Sequence, residues 1–338
     1  MLYALIMDKK VYHKDLGGYF EGIKDESQEQ RVRRFFAGQE INQKTFAKAI
    51  IDVFYGNVLK MHIIIDRTNW KFGNTDINYL VLAARIGNQT FPLFWTMLDH
   101  RGNSNTAQRM DLLDQFIEVF GTETIQSLTG DREFIGDEWI QYLGKNKVPF
   151  FIRVRSNMLV TDNNGEHKHI KEFFNETKRS SITREMYGQN LMFVGKKMPK
   201  TEARTEESKN EGEKEGHDEY LIICSNVHNP NHVFDTYKTR WNIEMLFKYL
   251  KSAGFNLEDT HMRDPERLEK LMSLLSVATI MCFKTSIFKK TKRKETVNCN
   301  ELSLFARGLR WLRRKMKEQK IPINESINEL FNLIPAPG

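Results

Sequence analysis

The stretch KMHIIIDRTNW, residues 60–70, carries the pattern on which the fold prediction rests. Its centre is the run Ile63-Ile64-Ile65, and a continuous β-branched run is typical of a strand covered on both faces. Asp66 directly follows the run, and we expect it to end the strand. A carboxylate at the end of a buried strand projects at the edge of the sheet where α/β proteins assemble their sites.

Further strands and helices are predicted along the chain from this point. Residues 77–87 and 89–98 predict two strands joined by a Gly-Asn hairpin turn, and residues 104–121 predict an amphipathic helix capped by Ser or Asn. Residues 124–134 predict a fourth strand that runs into a turn, and residues 137–155 a short helix and a fifth strand. This order predicts an α/β fold with a mixed sheet flanked by helices.

The regions on either side of this pattern differ from it in composition. The first 58 residues look helical, and two short helices there are compatible with a DNA-binding module or with a simple packed pair. A later segment has short alternating runs, typical of a β-rich insertion, and ends in a charged stretch that we expect to be a mobile surface loop. A strand at 220–227 then returns to the core, and the last region is helical and basic. The predicted boundaries are 1–58, 59–155, 156–219, 220–262 and 263–338.

Composition limits the classes of partner. The chain has 51 Lys and Arg against 44 Asp and Glu, a net charge of +7, which favours nucleic acid as a partner but also fits any basic protein. Three cysteines without metal-ligand spacing indicate reduced thiols in a cytoplasmic protein. The start of the chain is too short for a signal sequence. The apolar run 271–283 predicts a buried helix and no membrane span.

Asp131 supplies a second carboxylate, because we expect it to end the fourth strand before the turn. If the first and fourth strands are neighbours, Asp66 and Asp131 lie side by side. A bare pair of carboxylates would repel each other and raise one pKa, and a divalent cation removes that penalty. Because no His or Cys set stands nearby, hard carboxylate oxygens favour Mg²⁺ or Mn²⁺ over Zn²⁺.

The stretch DTYKTRWNIEMLFKYLKSAG, residues 235–254, predicts a helix with an unusual stripe. At about 100° per residue, Tyr237, Arg240, Glu244 and Lys251 fall within a stripe roughly 60° wide. One interpretation is an ordinary solvated face, on which Glu244 forms ion pairs with the cations four residues away. The other is a site in which Glu244 is a third carboxylate beside a pair of metal ions, and the cations neutralise DNA phosphates.

Other cations are candidates for phosphate contacts. Lys248 lies four residues after Glu244, and Arg313 and Arg314 lie in the basic stretch 307–317. A solvated helix face would have the same composition, so charge alone does not decide between the two interpretations.

These motifs together resemble a known family. The spacing Y-(2)-R-(3)-E-(6)-K at Tyr237, Arg240, Glu244 and Lys251 is the signature of the DDE transposases of bacterial insertion sequences, insertion sequence family four. The segment IIIDRTNW resembles the first catalytic motif of that family, and TGDREF resembles the second. The resemblance covers residues 60–285, and the insertion lies where the family carries a β-rich one.

The resemblance implies a fold and an activity. It implies an RNase H-like core, with a β-rich insertion before the last catalytic helix, in which Asp66, Asp131 and Glu244 are catalytic and hold two Mg²⁺ ions that Mn²⁺ can replace. It implies nicking at the transposon end, a hairpin intermediate, and joining of the 3′-OH to target DNA. The partners implied are double-stranded DNA and a second copy in a homodimeric synaptic complex, in the bacterial cytoplasm at the nucleoid and without a membrane.

One feature departs from the family. Studied relatives stack a flipped base on a tryptophan of the insertion, and residues 156–219 contain no tryptophan. Met186, Tyr187 or Phe193 could substitute. Trp241, beside the stripe, is interpreted as a packing residue with some chance of contacting DNA. Two other functions stay open: a catalytically silent relative that occupies element ends, and a metal-dependent nuclease without strand transfer.

Overall fold

The computed structural model describes residues 1–319 except positions 21, 39 and 59 and the segments 175–177, 199–219 and 291–302. The chain divides into two compact units. The first comprises Met1–Leu59, Arg67–Gly102 and Ile243–Gly338, and the second comprises Lys60–Asp66 and Asn103–Asn242.

The described helices are numbered in chain order. They are α1 (Leu2–Asp8), α2 (His13–Gly17), α3 (Asp25–Gly38), α4 (Gln43–Tyr55), α5 (Thr106–Phe120), α6 (Asp137–Lys145), α7 (Val233–Lys238), α8 (Trp241–Lys248), α9 (Pro265–Lys290) and α10 (Leu304–Gln319). The strands are β1 (Met61–Phe72), β2 (Thr75–Ile86), β3 (Gln89–Met97), β4 (Ile125–Gly130), β5 (Phe150–Arg153), β6 (Leu159–Thr161), β7 (His167–His169), β8 (Ser180–Met186), β9 (Gln189–Lys197) and β10 (Tyr220–Ser225).

Eight of the described strands form one mixed sheet in the order β3-β2-β1-β4-β5-β10-β9-β8. The pairs β1–β4 and β4–β5 are parallel, whereas β2–β3, β5–β10, β10–β9 and β9–β8 are antiparallel. Parallel strands need cover on both faces, which explains the nearly continuous apolar run of β1. The prediction of a mixed sheet flanked by helices, the RNase H-like α/β class, is confirmed.

The first unit is organised around α9. This helix packs against β3, α10 and α1, and the predicted buried helix at 271–283 lies within it. Its segment Pro265–Ile287 is long and apolar enough to cross a membrane by composition, but 83% of its most apolar window is buried inside the protein. Burial of that kind is typical of a core helix.

The helix α4 has a packing role in the first unit. It lies against β3 and α9, and it buries Ile50 and Phe54. The side-chain amide of Gln43 donates to the carbonyl of Trp95 and accepts from its backbone N–H, at 2.9 and 3.1 Å. These contacts seat α4 on β3 and on α9, and the role of the two N-terminal helices in DNA binding stays a prediction.

The second unit contains the insertion. Its two longer strands, β8 and β9, are a hairpin that extends the main sheet, because residues 192–197 of β9 pair with all of β10. The strands β6 and β7 form a separate two-stranded sheet. The segment is therefore rich in β-structure, as predicted, and the charged stretch at 199–219 lies outside the described residues.

Candidate functional site

Asp66 does not end its strand, which corrects the prediction. The strand β1 continues to Phe72, six residues beyond it. The parallel pairing with β4 covers Met61–Ile64, after which β1 continues beside β2 as far as the turn at Gly73. Asp66 therefore lies where the parallel ladder ends, and it reaches the carboxyl edge of that ladder although its own strand goes on.

Asp131 follows β4 as predicted, and the strand register places it beside Asp66. The register pairs Ile64 with Thr129, so continuing by two residues places Asp66 opposite Asp131. Paired residues on neighbouring strands share one face of the sheet, and strands lie about 4.8 Å apart. The Asp131 carboxylate is oriented by its own turn, since its Oδ1 accepts the backbone N–H of Glu133 at 2.9 Å.

The sequence analysis did not identify Arg153, which extends the row formed by Asp66 and Asp131 to a third strand. The register between β4 and β5 pairs Gly130 with Ile152, so Asp131 continues opposite Arg153, the last residue of β5. Two carboxylates and a guanidinium thus follow one another across three adjacent strands. The sequence feature that could have indicated Arg153 is its position, because an arginine directly follows the buried run Phe150–Ile152.

Arg240 forms an ion pair with Asp66. Its Nη1 lies 3.4 Å from the Asp66 Oδ2, and the two side chains are only 16% and 14% exposed. The sequence interpretation assigned Arg240 to DNA phosphates. In the structure Arg240 engages a protein carboxylate, and its contact with DNA phosphates stays a prediction.

Tyr237 lies beside this pair. Its ring packs with Phe151, Ile223 and Val233, which seats α7 on β4, β5 and β10. The Arg240 guanidinium stands 5.8 Å from the ring centre. Burial raises the pKa of the Tyr237 hydroxyl to about 12; the nearby guanidinium groups oppose the shift and the Asp131 carboxylate adds to it. The phenol is therefore neutral over the physiological range.

The predicted helix at 235–254 is interrupted, so the angles assigned to its residues at 100° per residue do not hold along its whole length. Between α7 and α8 the chain makes tighter bonds, such as Arg240 N–H to Tyr237 O at 2.9 Å. The Thr239 hydroxyl donates to the Thr236 carbonyl at 2.6 Å, a side-chain bond that competes with the regular helix. After α8, residues Tyr249–Ala253 form a π turn. Because a π turn holds more residues per turn, positions on either side of it do not follow 100° steps.

Glu244, Lys248 and Lys251 belong to the first unit. Glu244 lies half-buried in the first turn of α8, and Lys248 is exposed at its end. The Lys251 ammonium donates to the Asn69 carbonyl at 2.9 Å and pairs with Glu258 at 2.9 Å. Lys251 thus anchors the π turn to the second half of β1.

Arg313 and Arg314 lie on α10, also in the first unit. The Arg313 Nε donates to the Met7 carbonyl at 3.0 Å, which ties α10 to α1. Arg314 is exposed and its Nε lies 3.5 Å from Glu318.

The donor chemistry just beyond the β1–β4 pairing fits a hard cation. Mg²⁺ is commonly held by one or two carboxylates together with substrate phosphates and water, and Asp66 and Asp131 supply such a pair. Within the described part of the chain, no three His, Cys, Asp or Glu side chains cluster closely enough to hold a metal ion. The third ligand, Glu244, and the second ion therefore stay predictions.

The aromatic residues near the site differ in exposure. Trp241, interpreted as a packing residue, is 44% exposed, and it directly follows Arg240. Met186 and Phe193 are buried, at 7% and 0% exposure, so neither presents a stacking surface. Tyr187 is half-buried at the turn between β8 and β9.

Comparison with known proteins identifies the family. No curated protein matches the chain. Among solved structures, endonuclease V from Bacillus subtilis aligns over 80% of this chain and 96% of its own, with 9% identity and a TM-score of 0.25, too low to support an argument. The model of the transposase DDE domain matches residues 59–281, more than half of the 338 residues and the whole of β1 to α8. The chain therefore belongs to the transposase DDE domain family.

Proposed function

We propose that the protein is a metal-dependent DNA transposase that cleaves the ends of its element and joins the freed 3′-OH to target DNA. The observation that carries the proposal is the adjacent placement of Asp66 and Asp131 by the β1–β4 register, in a chain of the transposase DDE domain family. Neighbouring carboxylates at the edge of a parallel ladder are costly unless a cation joins them, so their placement in one row favours a metal site.

Each residue of the site has a definite task in this proposal. Asp66 and Asp131 would hold Mg²⁺, which when bound activates a water or 3′-hydroxyl and stabilises the leaving oxygen of a phosphodiester. Arg240 orients the Asp66 carboxylate through the ion pair, and the Glu133 N–H orients the Asp131 carboxylate. Arg240 and Arg153 together make the row attractive to a DNA phosphate.

Further details of the proposal come from the family signature. We assign the chain to insertion sequence family four, with Glu244 as third catalytic carboxylate and two Mg²⁺ ions that Mn²⁺ can replace. A hairpin end, a homodimeric synaptic complex and action on DNA in the bacterial cytoplasm belong to the same proposal. Tyr237, Lys248 and Lys251 would contact DNA, and Trp241 is the exposed aromatic residue best suited to stack on a base.

The domain boundaries are proposed in the same way. We assign 59–155 and 220–262 to the catalytic core, 156–219 to the insertion, 1–58 to a helical N-terminal region and 263–338 to a helical basic region.

The first experiment measures cleavage directly. Labelled duplexes covering the DNA on both sides of the coding sequence are incubated with protein and Mg²⁺, Mn²⁺ or EDTA and resolved on a denaturing gel. We expect a metal-dependent nick at the element end. Asp66→Asn, Asp131→Asn and Glu244→Gln each lose several kcal/mol of transition-state stabilisation, roughly 10³-fold in rate, while DNA binding persists.

A matched control is Asp235→Asn, since Asp235 is an exposed carboxylate of α7. It should cleave at the wild-type rate. Full cleavage by Asp66→Asn or Asp131→Asn would overturn the site assignment. Binding without any cleavage by the wild-type protein would indicate the silent relative, and cleavage without joining to target DNA would indicate a nuclease.

A further inference from the structure

A cationic cavity lies in the first unit, built by residues that the cleavage site does not use. Its volume is about 480 Å³, within the range of ligand sites, and five of its lining side chains are cations. They are Lys9, Arg310, Arg313, Arg314 and Lys317.

The cavity is a consequence of helix geometry. Four of the cations stand on α10 at positions 310, 313, 314 and 317, spacing that places them on one face of a helix. Lys9 comes from the end of α1, where it closes the helix in a left-handed conformation with φ of 60°. The Arg313–Met7 hydrogen bond holds the two helices together, so the cations are brought to one place by tertiary structure.

The charge of the cavity is largely uncompensated. None of the described residues that line it is acidic. Glu318 pairs with Arg314 and with Lys315, at 3.5 and 2.7 Å. Across the described ranges, Lys9, Arg310 and Lys317 have no ion-pair partner. Like charges gathered without carboxylates repel each other, and an anion relieves that repulsion.

The spacing of the cations favours a DNA strand over a single ion. Arg310 and Lys317 are seven residues apart, about 10.5 Å along the helix axis. Successive phosphates of one DNA strand rise about 3.4 Å along the duplex, so this row reaches roughly three of them. Ala253, the last residue of the π turn that carries Lys251, also lines the cavity.

We propose that this cavity binds the phosphate backbone of DNA as a second contact, separate from the carboxylates that cleave it. The proposal rests on the proposed function to the extent that DNA is taken as the substrate. It adds Lys9, Arg310 and Lys317 to the binding surface. It gives Arg313 two tasks: to contribute charge and to hold α10 against α1. Contacts of this kind carry no base readout, so binding here is independent of sequence.

The test is the salt dependence of DNA binding. Fluorescence anisotropy with a labelled random-sequence duplex follows the affinity of wild type and of the double variant Arg310→Ala/Lys317→Ala as salt is varied. Each lost phosphate contact lowers the slope of log K against log salt by about 0.9, so the slope falls by roughly 2. At about 0.1 M salt the affinity should fall roughly ten- to a hundredfold.

The matched control is Lys48→Ala/Arg307→Ala. It removes the same charge from exposed helical positions of the same unit, outside the cavity. Because all four positions are exposed, circular dichroism should show folded protein in both doubles. The control should retain the wild-type slope.

Each outcome decides the matter. A smaller slope in the cavity variant alone supports the proposal even if the wild-type protein never cleaves DNA, in which case the proposed function fails by itself. Equal slopes in the two double variants overturn the proposal that the cavity binds DNA, even if cleavage is observed. The third outcome is that inorganic phosphate or dAMP raises the thermal midpoint of wild type but not of the cavity variant, while the DNA slopes agree. The site would then be one for a small phosphate ligand, and the DNA proposal would be wrong.

Discussion

At the scale of single residues, the ion pair between Arg240 and Asp66 lies within the proposed metal site. The pair is mostly shielded from water, so it is stronger than a surface ion pair. A cation bound by Asp66 and Asp131 would share its carboxylate with this guanidinium. In the proposed mechanism Arg240 would therefore have two opposing effects: its charge would weaken metal binding, and it would attract the DNA phosphate.

Replacing Arg240 should separate these effects. In Arg240→Gln the affinity for Mn²⁺ without DNA should rise roughly tenfold, because a positive charge beside the carboxylate is removed. Cleavage at saturating metal should fall roughly ten- to a hundredfold, since a charge-assisted contact to phosphate is lost. A Mn²⁺ titration followed by electron paramagnetic resonance and the gel assay measure the two quantities. Lys238→Gln, an exposed cation of α7, should alter neither. Metal affinity that falls in Arg240→Gln would contradict this account.

At the scale of elements, local patterns were sufficient for most of the sheet and for α5. The helix cap falls on Asn105, whose side chain and that of Gln108 satisfy each other's backbone N–H groups. Such a motif depends only on residues that are close together in the sequence. The break at Thr239 and the π turn after Lys248 were not predicted, because apolar periodicity continues through both and the competing bonds are made by single side chains or by distant packing.

Two glycines of helices give a direct test of element packing. A Cβ at Gly308 of α10 would lie 1.7 Å from the Cys282 carbonyl of α9, and that backbone atom cannot turn away. Gly308→Ala should therefore cost about 1–3 kcal/mol and lower the thermal midpoint by several degrees. At Gly38 of α3 a Cβ meets nothing within 4 Å. Gly38→Ala should leave the thermal midpoint unchanged or slightly higher. A thermal midpoint of Gly308→Ala equal to that of Gly38→Ala would contradict the expectation, because it would show that α9 and α10 can separate without cost.

At the scale of the whole molecule, the sequence predicts less of the structure than it does for single elements. Asp66 and Asp131 were paired on the condition that their strands are neighbours, and the register supplies that condition. Lys9 could not be assigned to a site, because it meets the α10 cations across some 300 residues of chain. The exposure of Trp241 could not be predicted either, since exposure depends on what the rest of the fold leaves uncovered. The periodicity of a segment predicts which of its residues share a face. Which residues pack against that face depends on the tertiary structure.

Glu269 links the stability of the molecule to pH. It lies on α9, its Oε1 accepts the Met97 N–H at 3.0 Å, and its backbone carbonyl accepts the Trp95 indole N–H at 3.1 Å. Burial raises the pKa of this carboxyl above 4.5, its ordinary value, and the nearby Glu266 adds to the shift. The folded chain thus holds the Glu269 proton more tightly than the unfolded chain. This contribution to stability is complete below pH 4.5 and is lost as the pH rises through the folded pKa.

Glu269→Gln isolates this effect, because its amide oxygen can still accept the Met97 N–H but carries no charge at any pH. Thermal midpoints of wild type and variant, measured from pH 4.5 to pH 8, should therefore diverge as pH rises, with the variant gaining relative to wild type. Glu40→Gln removes an exposed carboxylate and serves as the control, with a difference from wild type that does not grow with pH. If the difference for Glu269→Gln stays constant across this range, the buried charge of Glu269 is not what limits the stability of α9 against β3 at neutral pH.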